Sequence, residues 1–571
     1  MTRVSGRMTG LAAHLPPVTD PHALRVARPL WALVASAVVL GAGAAGGVAP
    51  QPSCLVSLAS GDVQGQDLGA TCAFLGIPYA ASTAGSDRWR PPQPAPPWTP
   101  AIFNATTAVN CASISFFTPG GSIAGSEDCL RVNVWVREAP LGSPAPVIVW
   151  LHTGAFTGGS ANFAGSNGRK LVEETGVIVV APNYRLGPFG FLAHSALAAE
   201  DPLGTSGNYG LRDQQAALRW VRDNIARFGG DPGNVTLAGT SAGGQSTGLH
   251  LVSPAGDGLF HKAAIQSAYP TSRWRSAGEG AMQGDAFAAA LGCTDPAEVV
   301  ACMRAASQES VLRALPVATQ QVIEPAGRTF WEPVVDGVII PHQPRLLYEA
   351  GAFHRVPTII GFNRDEGWGA FIMRSFTSGV SLEDFEAWVS NEFGPSAGGV
   401  LGLYPASSFA SPMEAMAGVV GDAQFVCEAR RLARLIERTG APVFLYSYEY
   451  EIDALSVDHV IHGVESNILF GNNYQPPAFP SYPLDDADLA LHSSMAGYWT
   501  RFAASGNPNM ADDTVVRWPA FKHPTGPGRG ADRYLLLDTA TREAQRPREA
   551  QCDFFEPLFL KSILGGTAAW Q

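Results

Sequence analysis

Short, unbroken apolar runs alternate with stretches of helical period along most of this chain. Val147–Leu151 and Val177–Pro182 are continuous apolar runs bounded by turn residues, the pattern of strands buried on both faces. Asp213–Phe228 carries Leu218, Val221 and Ile225 at helical spacing and stops at Gly229-Gly230, which predicts a helix with a glycine end. Asn234–Ala238 reads as a further buried strand, directly before Gly239. This alternation predicts an α/β fold with a large, mostly parallel central sheet and helices on both faces. No internal repeat or long linker interrupts residues 53–565, so residues 51–571 are read as one domain.

The first fifty residues follow a different pattern. Arg3, Arg7, Arg25 and Arg28 precede an uncharged stretch from Leu30 to Ala49 that ends in an Ala/Gly-rich run. A basic start, an apolar core and small residues near a cleavage point describe a signal peptide. The same stretch is just long enough to span a bilayer as a signal anchor, and an organelle transit segment is the third reading. Residues 1–50 are therefore assigned to targeting, with secretion as the expected destination. A membrane association is expected only if the segment stays uncleaved.

Composition narrows the class. Hydrophobic residues make up 46 % and charged ones 15 % of the 571 residues, enough apolar material for a large core. The formal net charge of −12 repels phosphate backbones, and no Lys/Arg-rich run reverses it, so a nucleic-acid partner is excluded. Eight cysteines suit an exported chain with a disulfide framework, and no Cys-x-x-Cys or Cys/His cluster points to a metal. Spacing leaves about a hundred pairings open. Asn104-Ala-Thr and Asn234-Val-Thr are glycosylation sequons; the second lies in a predicted strand and is read as an unmodified one.

The chemistry centres on Gly239-Thr240-Ser241-Ala242-Gly243. In a chain with 62 glycines a G-x-S-x-G pentapeptide arises by chance about 0.4 times, so context must carry the argument. Here it follows a strand and opens a helix. Small residues flanking the serine allow the sharp turn that lifts its hydroxyl above a sheet. The helix start also brings the Ala242 N–H and a positive dipole end to developing negative charge. Upstream, His152-Thr153-Gly154-Ala155-Phe156 follows the strand Val147–Leu151. Gly154 and Ala155 there are candidates to form an oxyanion hole with Ala242. A serine needs a base and an orienting acid, which in α/β-hydrolases follow it in the order acid, then His.

With these residues assembled, the chain resembles the type-B carboxylesterase family, which includes cholinesterases, carboxylesterases and fungal lipases. The resemblance covers about residues 53–562. Its markers are Phe74–Ala80, Arg88–Pro92, Ser126–Leu130, Asn183–Gly187, Gly207–Gln214, Phe228–Pro232, Pro333–Gly337 and Gly506–Asn509. It implies the α/β-hydrolase fold and no metal or organic cofactor. It implies Glu366, in Asp365-Glu366-Gly367, as the acid and His462, in His462-Gly-Val-Glu465, as the base. His459 is a decoy three residues earlier. Ser267 is similar to a family serine that hydrogen-bonds near the acid. The family's disulfides imply Cys111–Cys129, Cys293–Cys302 and Cys427–Cys552; Cys54–Cys72 is added from proximity alone. Arg88 with Glu127 and Arg185 with Asp213 match structural ion pairs of the family.

Departures from the family pattern bear on the substrate. Thr240 stands where many members carry Glu, and Thr153 and Ala155 replace loop glycines. No Trp lies between Cys111 and Cys129, and Gly367, Trp368, Gly369 and Ala370 lack an expected aromatic pair. These changes disfavour a cholinesterase. Phe116 and Phe117 are expected to line an apolar pocket. The reading is a serine esterase acting on a small apolar carboxylic ester through Ser241, Glu366 and His462. An interfacial triacylglycerol lipase and a non-catalytic adhesion module are the alternatives. The oligomeric state is not read from the sequence.

Overall fold

Seven parallel strands form the centre of the protein, and each crossover carries helix onto one face of the sheet or the other. The computed structural model describes residues 54–114, 121–138, 144–315, 331–368, 379–452, 458–473, 481–510, 515–523 and 532–563. Residues 1–50, expected to serve targeting, and Phe116, Phe117, Gly369 and Ala370 lie outside the described residues. The chain divides into two units, Met1–Gln51 and Pro52–Gln571, and every described residue falls in the second.

The main sheet has eleven strands. In chain order they are β1 (Gln66–Asp67), β2 (Thr71–Pro78), β3 (Arg131–Arg137), β4 (Ala145–Leu151), β5 (Ile178–Pro182) and β6 (Gly230–Thr240), followed by β7 (Lys262–Gln266), β8 (Thr358–Asn363), β9 (Val443–Tyr448), β10 (Arg533–Leu537) and β11 (Arg542–Gln545). Their spatial order is β11-β10-β9-β8-β7-β6-β4-β5-β3-β2-β1. From β10 to β5 all neighbours are parallel. Both flanks are antiparallel, β11 on one side and β3, β2 and β1 on the other.

The apolar runs behave as the sequence predicts. Along β4, Val147, Val149 and Leu151 enter one hydrophobic cluster and Ile148 and Trp150 another. A strand covered on both faces must be apolar at every position, which is why no polar alternation marks it.

One boundary differs. The predicted helix from Asp213 begins at Tyr209 instead, as α1 (Tyr209–Asn224), with a 3-10 turn at Ile225–Phe228 before Gly229. Asp213 looks like a polar helix start in sequence, but it is fully buried on the helix by its ion pair with Arg185 (2.7 Å). The Arg88–Glu127 pair (2.6 Å) is formed likewise.

The structure pairs Cys54 with Cys72, Cys111 with Cys129, Cys293 with Cys302 and Cys427 with Cys552. Four disulfides are characteristic of an oxidising compartment. Among the described residues no helix is long and apolar enough to cross a membrane. Asn104 is exposed, whereas Thr236 of the second sequon is buried in β6.

Candidate active site

The C-terminal ends of β4, β6, β7 and β8 meet at one edge of the sheet, where ligands bind in open α/β folds. At the end of β6, Ser241 adopts φ 57° and ψ −121° before α2 (Ala242–Val252) begins. A residue other than glycine held there costs on the order of 1–3 kcal/mol and persists only when its surroundings enforce it. They do so here: the Ser241 N–H donates to the Gln266 carbonyl (2.9 Å), and the Ser241 carbonyl accepts from the Gln245 N–H (2.8 Å).

The flanking glycines are steric requirements. A Cβ on Gly239 would lie 2.6 Å from the Leu151 carbonyl oxygen, and one on Gly243 would lie 1.9 Å from it. Backbone cannot yield that far. Gly243→Ala is therefore expected to destabilise the fold by about 3 kcal/mol or more, seen as a lower melting temperature, with turnover falling alongside.

The same close approach seats the start of α2 on Leu151 and His152, where the oxyanion-hole candidates begin. Gly154, Ala155 and Phe156 all have positive φ, at 130°, 50° and 58°. The Gly154 carbonyl accepts from the N–H groups of Thr157 and Gly158 (3.1 and 2.9 Å), which ties the turn. Ala242, as the first residue of α2, has no intrahelical acceptor for its N–H. His152 anchors the loop, stacked on Tyr184 (4.4 Å) with its Nδ1 on the Thr153 carbonyl (2.8 Å). Burial pushes its pKa down to about 4, so the ring is neutral at physiological pH.

On the other side, Glu366 follows β8 and is almost wholly buried. Its Oε2 lies 2.5 Å from Nδ1 of His462, and its Oε1 accepts from the Asn363 N–H (2.8 Å). Burial alone would lower the His462 pKa. The charge of Glu366, its hydrogen bond and the nearby Glu465 outweigh burial, and the pKa is raised above its usual value.

Residues 52–555 match the carboxylesterase family. The chain belongs to that family. It is 33 % identical, over 479 residues, to a fumonisin B1 esterase of Sphingopyxis macrogoltabida, covering 81 % of this chain and 84 % of that one. The protein is thus an α/β-hydrolase and a carboxylic ester hydrolase.

Sequence reasoning assigned no role to Glu465, yet this carboxylesterase builds the floor of its site around it. Fully buried, its Oε1 accepts from Thr240 Oγ1 (2.9 Å), Gln266 Nε2 (3.4 Å) and Ser267 Oγ (3.4 Å). Its Oε2 accepts from Asn363 Nδ2 (2.7 Å). One carboxylate therefore ties together the residue before Ser241, the end of β7 and the end of β8. Ser267, expected to hydrogen-bond near the acid, bonds to Glu465, a neighbour of Glu366. Thr240 does remove a charge beside the serine, but its hydroxyl turns away to Glu465. Burial and the neighbouring Glu366 raise the Glu465 pKa, against its hydrogen bonds from Asn363 and Thr240 and the charge of His462.

Phe425 was also missed. Its ring lies 4.9 Å from that of His462, and Tyr269 makes a T-shaped contact with it at 5.2 Å. A π-helical turn, Asp422–Val426, presents Phe425 between α3 (Pro412–Gly421) and α4 (Cys427–Glu437). Such a bulge breaks helical period, so no sequence pattern marks it. His459 does not approach Glu366, the candidate acid; it approaches Glu414 and Asp365 instead. Among the described residues, no group of three or more His, Cys, Asp or Glu could hold a metal ion.

Proposed function

We propose that the esterase works through an acyl-enzyme formed on Ser241, with His462 as base and Glu366 as the orienting acid. The observation that carries this reading is the 2.5 Å contact between His462 Nδ1 and Glu366 Oε2, at the same sheet edge as a serine on a strained elbow. With Nδ1 committed to Glu366, proton exchange with the serine falls to Nε2. As Ser241 Oγ bonds to the substrate carbonyl carbon, its proton passes to His462. The tetrahedral oxyanion takes N–H donors from Gly154, Ala155 and Ala242, each worth on the order of a hundredfold in rate. Collapse breaks the ester C–O bond, and the alcohol leaves with the proton from His462. Water then attacks the acyl-serine, giving its proton to His462; the acyl C–Oγ bond breaks, the carboxylic acid leaves, and His462 returns the proton to Ser241 Oγ.

The reading takes a small apolar carboxylic ester as substrate. The esterase from Sphingopyxis places fumonisin B1 in the panel to be tested. It also takes residues 1–50 as a targeting segment, residues 51–571 as one domain, and export as the destination, in keeping with four disulfides. A fluorophosphonate probe is expected to label Ser241 stoichiometrically and abolish turnover of a soluble nitrophenyl ester. An active protein carrying no adduct on Ser241 would overturn the mechanism.

A further inference from the structure

We infer that His459 is a positioning residue that fastens the segment carrying the base to the segment carrying the acid. It rests on the triad reading above. The His459 ring stacks on Trp368 with centroids 4.3 Å apart and planes within 12°. Trp368 stands two residues after Glu366, and His459 three before His462. Glu414 closes the arrangement from α3: its Oε2 accepts from Trp368 Nε1 (3.1 Å), and its Oε1 lies 3.2 Å from His459 Nε2. Asp365 completes it. Its carboxylate accepts from the Val460 N–H (2.8 Å), and its own N–H donates to the Val460 carbonyl (3.2 Å). Among the described residues, the charges around this cluster include Arg364, which pairs with Asp365, Glu451, which pairs with Arg364, and Asp422 of the π-helical turn, which feels the charge of Asp365.

Three elements are thereby locked in register: the acid loop, the base loop and α3. The third matters because α3 runs into the π-helical turn that sets Phe425 against the His462 ring. Through the fastener, the ring is held from its Nδ1 side by Glu366 and packed by the tilted ring of Phe425. His459 itself is one-fifth exposed and reaches Glu366 and His462 only through its neighbours, so its effect is on placement. An error of about 1 Å in such a group costs up to a hundredfold in rate.

Kinetics on a soluble nitrophenyl ester, well below the melting temperature, test the inference. His459→Ala is expected to lower kcat about tenfold while KM stays within about twofold. His459→Gln keeps an N–H donor for Glu414 and should recover kcat to within about threefold of the parent. The low-field proton resonance of the His462–Glu366 hydrogen bond should shift or broaden in the alanine variant. Glu414→Gln leaves the ring stack and removes its anchoring charge, and is expected to lose about threefold in kcat; it decides the matter if His459→Ala does not fold. Unchanged kcat in His459→Ala, or in Glu414→Gln where the first is unfolded, overturns the inference. His462→Gln is the separate control. Turnover retained there sinks the triad, whereas an inactive His462→Gln beside an unimpaired His459→Ala sinks the fastener alone.

Discussion

Ser241→Ala is expected to lower kcat on a soluble ester by about a millionfold, with the melting temperature unchanged. His462→Gln should lose nearly as much, and the double variant should be no slower than the worse single one. The reason is that a serine hydroxyl without its base, or a base without its nucleophile, performs neither half of the proton-coupled attack. What activity remains comes from the oxyanion hole and from substrate binding. Steady-state and single-turnover kinetics on purified variants check this. Additive losses would mean that the two residues do not act as one unit.

The second large effect concerns the acid. Glu366→Gln is expected to reduce kcat by about ten-thousandfold, because an amide in place of the carboxylate permits the wrong imidazole tautomer. It should also move the pH profile. In the parent enzyme, the His462 pKa is raised, and only the neutral ring can accept the serine proton. The acid limb of kcat/KM is therefore expected above pH 6.5, with activity falling as pH drops through it. Removing Glu366 takes away the largest raising influence and leaves burial, which lowers the pKa, so the limb should shift to lower pH. A profile that kept its midpoint would contradict the assignment. Stability carries the opposite sign. A raised folded pKa gives stabilisation that is complete below the unfolded value and lost as pH rises through the folded value. The parent should thus lose this contribution in the alkaline direction, and Glu366→Gln should not.

Where local chain geometry sets the constraint, the sequence was sufficient. Val147–Leu151 had to be a doubly covered strand because every position in it is apolar. Gly239 and Gly243 flank the serine because any side chain there meets the Leu151 carbonyl. The elbow is written in five consecutive residues, and the family resemblance then pointed to Glu366 and His462 although 96 residues separate them. The four disulfides were legible too, three through family resemblance and the fourth by proximity.

What escaped the sequence is side-chain partnership across long separations. Thr240 and Glu465 are 225 residues apart, and nothing in either neighbourhood announces the other. Ser267 was expected near the acid, but that its hydroxyl bonds to Glu465, 198 residues away, is decided by packing alone. His459 looked like a failed candidate for the base because a sequence cannot show the Trp368 face on which its ring lies. Local sterics, carried by adjacent residues, thus determined the fold and the serine's strained turn. The electrostatic floor under that serine and the bracing of its histidine depend on distances between remote segments, and the tertiary structure alone decided those.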